Sequence, residues 1–382
     1  MRLRSSAQSK RRGKVPFTSP HTMIDPIALT QTLVRFDTRN PPGDEAACMR
    51  HVAQLLESHG FVVTLTEFGT NRLNLVARRG DGPAPTFTGH LDVVPLGTTP
   101  WTQAPFGGDI VDGKLYGRGS CDMKAGVAAM IAAAIAEPER PVTLILTGGE
   151  ETGSNGARAL AQSGALPPAT ILVVGEPTAG KLLAGHKGAF WLRATTHGVT
   201  AHGSTPHLGD NAVYKAARAI TALEEFGFNH PPHPIMGSPT LNVGMVSGGL
   251  NINSVPDAAE FTLDIRTVPG MSHAHIHDQL AFTIPAAELE TLVDLPSVWS
   301  DPANPEMQAI AAAYRSATGR DTPPTSAAYF TDASILTPAL GDVPTVICGP
   351  GDPAMAHKTD EYCEVAAIQE AVAIYRAILR LP

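Results

Sequence analysis

The chain reads as an α/β protein, a three-layer domain with a mixed, largely parallel sheet, interrupted by an inserted ferredoxin-like α+β unit. Three observations carry that reading. Strand-length apolar runs alternate with helical patterns through the first half, the signature of a parallel sheet covered by helices. After Gly185 the texture changes to β-α-β-β-α-β, the order of a ferredoxin-like unit. At 382 residues the chain is also longer than one core usually carries. The expected boundaries are 1–22 for a disordered basic tail, 23–184 with 295–382 for the larger domain, and 185–294 for the inserted one.

Taken in order, Arg2, Arg4, Lys10, Arg11, Arg12 and Lys14 make the first segment basic, and no apolar stretch follows as a secretory signal requires. A disordered tail, or an early start codon with Met23 as the true start, is the plain reading, with a targeting role as the other. From Ile27 to Gly60 apolar residues recur at three and four, with Asp44 or Glu45 restarting the helix after Pro41-Pro42-Gly43. Leu73–Arg78 and Ala84–Thr88 read as strands, Met123–Glu137 as a buried alanine-rich helix, and Val142–Leu146 as an apolar strand. A helix over Asn155–Gln162 and a strand over Ile171–Val174 follow. The inserted unit offers strands at Ala189–Thr195, Thr240–Met245, Ala259–Arg266 and Leu289–Asp294, with helices at Asn211–Phe226 and Ser272–Phe282. From Asp301 the chain returns to helix, strand and loop, with an apolar strand at Val343–Ile347.

The bulk numbers narrow the function. With 43% hydrophobic and 17% charged residues and no apolar run of membrane-spanning length, a membrane partner is not expected. A net charge of -8 argues against nucleic acid, which wants a basic surface. Cys48, Cys121, Cys348 and Cys363 are scattered without C-x-x-C spacing, which fits a reducing cytoplasm. There is no G-x-S-x-G elbow and no P-loop lysine motif, and Asp122 stands where a dinucleotide fingerprint needs glycine.

The acids and histidines fall elsewhere. His90 and Asp92 follow one strand, Glu150 and Glu151 another, Glu176 a third, and His357 a fourth, while Asp122 precedes a helix. In open α/β sheets these positions share one edge, beyond the carboxyl ends of the strands. So many carboxylates repel unless cations hold them. Imidazole and carboxylate without thiolate suit zinc, cobalt or manganese, and a shared carboxylate would let these residues hold two ions. Glu150 and Glu151 diverge, so one can bind metal while the other faces a water as general base. His273, His275 and His277 read as a solvated helix face, and His186 and His207 as ordinary hydrogen-bonding residues.

The strings GHLDVVP (residues 89–95), GRGSCDMKAG (117–126), GGEETGS (148–154), VGEPT (174–178) and the late GPG…AH (349–357) resemble those of the acetylornithine deacetylase and succinyl-diaminopimelate desuccinylase family. That family also holds aminoacylases, a glutamate-releasing carboxypeptidase and small dipeptidases. The resemblance runs from about Met23 to the C-terminus. It implies His90, Asp122 and Glu176 around one metal ion and Asp122, Glu151 and His357 around the other, with zinc as the usual ion. It further implies Glu150 as general base, Asp92 as the acid that orients His90, and a cis peptide after Asp122. The segment Gly198–Pro206 resembles the family's lid motif, in which His202 reaches a partner's active site and stabilises the oxyanion. Asn253, Arg266 and the loop of Gly349 and Gly351 are then expected to bind the substrate's carboxylate or shape its pocket. The implied function is hydrolysis of an N-acyl amino acid by a homodimer with a closing lid. A dipeptidase or carboxypeptidase is the alternative, and a non-catalytic binding relative the remote one.

Overall fold

The structure is a computed structural model that describes residues 23–382; the expected basic tail over 1–22 lies outside the described residues. Helix α1 (Pro26–Val34) starts where the Asp25 carboxylate accepts the Ile27 N–H at 2.9 Å and Pro26 supplies a preset φ. Helix α2 (Ala46–Ser58) follows a turn with cis bonds at Asn40-Pro41 and Pro41-Pro42. Strands β1 (Val62–Gly69) and β2 (Arg72–Arg79) then form an antiparallel hairpin. Sequence reading found β2 but not β1. The missed strand is a sheet edge whose residues are all exposed or half-buried, so no buried face imprints a period on it.

Strand β3 (Ala84–His90) leads to the short β4 (Ile110–Val111) and β5 (Lys114–Tyr116), an irregular turn over Ser120–Lys124, and α3 (Ala125–Ala136). Then come β6 (Val142–Thr147), α4 (Asn155–Ser163), β7 (Ala169–Val174), β8 (Gly185–His186), β9 (Gly188–His197) and α5 (Ala212–Glu224). After β10 (Thr240–Gly248), β11 (Ala258–Thr267), α6 (His273–Thr283), β12 (Ala287–Leu295) and β13 (Val298–Trp299), helices α7 (Pro305–Thr318) and α8 (Ala333–Ala339) follow. Strands β14 (Thr345–Ile347) and β15 (Tyr362–Glu364) and helix α9 (Val365–Leu379) complete the described chain.

The main sheet has the order β1-β2-β6-β3-β7-β14, with β3 parallel to β6 and β7, and β14 parallel to β7. Its central strands are apolar on both faces. In β6, Val142, Leu144 and Leu146 pack into the core with α1, α2, α3, α7 and α9, while Ile145 joins α4 and α8 on the other side. Burial on both faces is why the run is continuous rather than alternating. These helices and the sheet make three layers.

The second sheet is antiparallel, ordered β10-β11-β9-β12. Helices α5 and α6, capped by Asn211 and Ser272, cover one face through Phe190, Leu192, Phe261, Leu263, Ile276 and Leu280. The chain enters and leaves this unit through a two-stranded ribbon in which β8 pairs with β13. His186, in the ribbon, is buried and its Nδ1 sits 2.8 Å from the Lys187 carbonyl. His273 differs from its expected solvated setting. It is buried against Phe190, with ring nitrogens 2.9 Å from Thr267 Oγ1 and 2.6 Å from Asp294 Oδ1.

Candidate metal centre

Parallel pairing fixes where the chemistry gathers. Strands β3, β6, β7 and β14 point the same way, so the residues after each carboxyl end meet at one sheet edge. His90 ends β3; Glu150 and Glu151 follow β6 by way of Gly148-Gly149; Glu176 follows β7 after Gly175; His357 lies in the loop after β14. Asp122 arrives from the irregular turn before α3, and its peptide bond to Met123 is cis.

Two groups result, and they share one residue. His90 Nε2 lies 3.2 Å from Asp122 Oδ1 and 3.5 Å from Glu176 Oε1. His357 Nε2 lies 3.4 Å from Asp122 Oδ2 and 3.2 Å from Glu151 Oε2. In each group the ligand atoms all fall within 4.8 Å of one another. The Asp122 carboxylate therefore turns one oxygen to each group.

The electrostatics fit cations. The carboxyl groups of Asp92, Asp122, Glu150, Glu151 and Glu176 crowd around two imidazoles, His90 and His357. Burial pushes Glu150 and Glu176 well above the usual carboxyl range, with Glu176 adding to the first shift and Asp122 to the second. Burial also raises Glu151, whose buried Oε1 has no hydrogen-bond partner. His357 is pushed up to about 10 by its bonds to Asp122 and Glu151. So many buried carboxyl groups around two imidazoles mark positions where a divalent ion would balance the charge. The donor set, oxygen and imidazole with one shared carboxylate, fits two such ions.

A surrounding shell fixes these donors. The Asp92 carboxylate accepts Asn40 Nδ2 at 2.9 Å and the N–H groups of Glu150 and Glu151 at 3.2 and 3.3 Å. It thereby ties the β6 turn to β3. Toward His90 the nearest oxygen of Asp92 is its main-chain carbonyl, 2.9 Å from Nδ1, with the carboxylate at 3.5 Å. Glu361, which sequence reading missed, is fully buried; its Oε1 accepts the N–H groups of Gly119, Cys121 and Asp122 at 3.1, 2.9 and 3.0 Å. Its other oxygen pairs with Arg118 at 2.5 Å. Asp332, also missed, is buried beside Thr147 at the end of β6. In sequence both are ordinary loop acids, and no spacing distinguishes them.

The remaining predicted residues lie apart from the two groups. The segments that carry His202 and Asn253 run side by side in the smaller unit, where the Gly203 N–H donates to the Asn253 carbonyl at 2.7 Å and His202 bridges to Ser254. His202 and Asn253 are exposed, and His202 Nδ1 is 2.7 Å from Ser204 Oγ. Arg266 is held by Asp264, Nε to Oδ1 at 2.8 Å. The Gly349 N–H donates to Thr178 Oγ1 at 3.1 Å, and a Cβ there would stand 2.2 Å from the Gly175 carbonyl. At Gly351 a Cβ would meet the Cys121 carbonyl at 2.6 Å. These glycines let the β14 loop press against the ligand-bearing turns. A cavity of about 290 Å3 opens on Asp122, Glu150, Glu151, Glu176 and His357.

Comparison with known proteins gives the same outline. The profile of peptidase family M20/M25/M40 matches residues 86–381. A succinyl-diaminopimelate desuccinylase of Rhodospirillum centenum is 35% identical, over 93% of this chain and 96% of that protein. Among solved structures, an M20 family metallo-carboxypeptidase from Sulfolobus solfataricus superposes with a TM-score of 0.78 at 17% identity, covering 94% of this chain and 99% of that one. A dinuclear metal-binding M20 peptidase from Bacillus subtilis reaches 0.69 at 17% identity, over 93% and 96%. At these identities the structures speak for the shared fold.

Proposed function

Because this chain belongs to peptidase family M20/M25/M40, we propose that it is a metal-dependent amidohydrolase that removes the acyl group from an N-acyl amino acid. The observation that carries this reading is the pair of donor groups joined through Asp122, with Glu150 beside them on the same cavity. His90, Asp122 and Glu176 would hold one ion and Asp122, Glu151 and His357 the other, zinc first and cobalt or manganese as substitutes. When bound, such ions polarise a carbonyl and make a water acidic near neutral pH.

The chain's own residues do the rest. Glu150, on the cavity beside both donor groups, takes a proton from the attacking water and returns it to the leaving amine. Asp92 orients His90 and holds the Glu150 and Glu151 backbone in place. The inserted unit, residues 185–294, acts as a lid. His202 donates to the oxyanion from the partner subunit's lid, since in its own chain it does not line the cavity. Asn253, Arg266 and the Gly349–Gly351 loop bind the substrate carboxylate. A homodimer is supported by β10, an edge strand with Met245 and Val246 exposed. The cysteines, free and buried, support a reducing, cytoplasmic setting. No helix among the described residues is long and apolar enough to cross a membrane.

The test is amine release from N-acetyl, N-succinyl and other N-acyl amino acids and from dipeptides, after metal is stripped and zinc restored. Activity should vanish with the metal, return with zinc, and fall at least about 100-fold in Glu150→Ala. Preferential cleavage of dipeptides would move the reading to a dipeptidase. No turnover with two ions bound would leave only a binding relative.

A further inference from the structure

The two adjacent glutamates of the centre ride on one excursion of the chain, residues 148–156, which runs from the end of β6 into the first turn of α4. A side chain from another strand closes its neck. Asn74, on β2, is fully buried. Its Oδ1 accepts the Gly148 N–H at 3.2 Å, and its Nδ2 donates to the Gly156 carbonyl at 3.0 Å. These partners fix the amide's orientation, since a flip would set N–H against N–H and carbonyl against carbonyl. The two ends also bond to each other. The Gly156 N–H donates to the Gly148 carbonyl at 3.0 Å, and the Asn155 N–H to the Gly149 carbonyl at 2.9 Å. Strand register prepares the position: the β2–β6 ladder ends at Leu75 and Leu146, so Asn74 stands one residue beyond the last pair. There its side chain takes over from the backbone. The fit leaves no slack, because a Cβ on Gly156 would stand 2.2 Å from the Gly148 carbonyl oxygen and 2.3 Å from Asn74 Oδ1.

Beyond the neck the chain turns on itself, with the Gly153 and Ser154 N–H groups donating to the Glu150 carbonyl at 2.9 and 3.1 Å. Glu150 and Glu151 therefore move with the neck. The flanking elements are anchored separately, with Ile145 of β6 and Ala157 and Leu160 of α4 in one core cluster. Loss of the Asn74 amide would orphan the buried Gly148 N–H and Gly156 carbonyl without removing that core. We infer that Asn74 is a positioning residue for the centre: by pinning both ends of the loop it sets where Glu150 meets water and where Glu151 meets an ion. The inference rests on the roles given above to those two glutamates. Misplacing a reacting group by about 1 Å costs up to about 100-fold in rate, and losing a group that holds a ligand in place costs about 10–100-fold in metal affinity.

The experiment compares zinc-loaded wild type with Asn74→Ala. Val76→Ala, two residues along β2 and paired with Ile145, is the control for lost packing on the same strand. Asn74→Ala should lower kcat at least about tenfold with KM within about twofold, and should hold one of its two zinc ions at least about tenfold more weakly. Val76→Ala should keep the wild-type kcat and both ions, because lost stability alone does not split kcat from KM. Gly156→Ala wedges the neck from the other side and should show the same split as Asn74→Ala. A folded Asn74→Ala enzyme with the kcat and zinc affinity of Val76→Ala overturns the inference. Where neither neck variant folds, amide exchange in the zinc-loaded wild type decides. The Gly148 N–H should exchange as slowly as the ladder amides of β6, and exchange at the rate of an open loop overturns the inference. Absence of wild-type turnover on every N-acyl amino acid and dipeptide overturns the hydrolase reading, while zinc affinity and amide exchange still judge Asn74.

Discussion

At the scale of single residues, the centre depends on groups that never face substrate. Glu361 is fully buried with Arg118 and gathers the N–H groups of the turn that presents Asp122. Removing one partner of a buried pair strands the other, at a cost of about 3–5 kcal/mol. Glu361→Ala should therefore lower the free energy of unfolding by that amount and also lose divalent ions on dialysis. Normal metal content in the weakened protein would reduce Glu361 to a purely structural role. His186 gives a second test. Burial pushes its ring down to about 4, against an ordinary value of 6.5. The unfolded chain then takes up this proton first as pH falls, so the stabilising difference is complete above about 6.5 and declines toward 4, by about 3 kcal/mol. Metal-free wild type should lose more stability over that window than His186→Gln, measured by urea unfolding. Parallel curves would remove His186 from the account.

At the scale of elements, the positions of the donors follow from strand direction and from close approach of backbones. Helix α3 lies so near the end of β7 that a Cβ on Gly126 would stand 2.1 Å from the Gly175 carbonyl, one residue before Glu176. Gly349 approaches the same carbonyl from the other side. Gly126→Ala must push the helix or the turn away, and overpacking of this kind costs about 1–3 kcal/mol. Its thermal midpoint should fall and its metal affinity weaken, because Glu176 moves with the displaced turn. Full zinc affinity in the variant would show that the turn holds Glu176 independently of α3. Sequence reading caught the elements whose burial is periodic or continuous, such as β6, β7 and α3. It missed β1 and the short β4, β5 and β15, whose identity comes from the strands they pair with rather than from their own pattern.

At the scale of the whole molecule, the proposed lid residues and the proposed donors sit in two units joined through the β8–β13 ribbon. If a second copy completes the site, loss of that copy must cost activity as well as mass. Val246→Glu places a charge on the exposed edge strand β10, far from the donors in sequence. It should shift sedimentation from dimer to monomer and lower kcat at least about tenfold through loss of the His202 donor. A fully active monomer would instead confine catalysis to one chain. By itself the sequence determined the fold class and the order of the buried strands and helices, and its short motifs named the acids and histidines that gather at the sheet edge, since these are written in local motifs and in burial periods of 2.0 and 3.6 residues. Only the tertiary structure decided that Glu361 and Asn40 hold the turns. It alone showed that Pro177, Tyr329, Phe330, Pro353 and Ala356 line the cavity beside the donors. Those facts depend on contacts between residues from different loops, and a contact between distant segments leaves no periodic trace in either one.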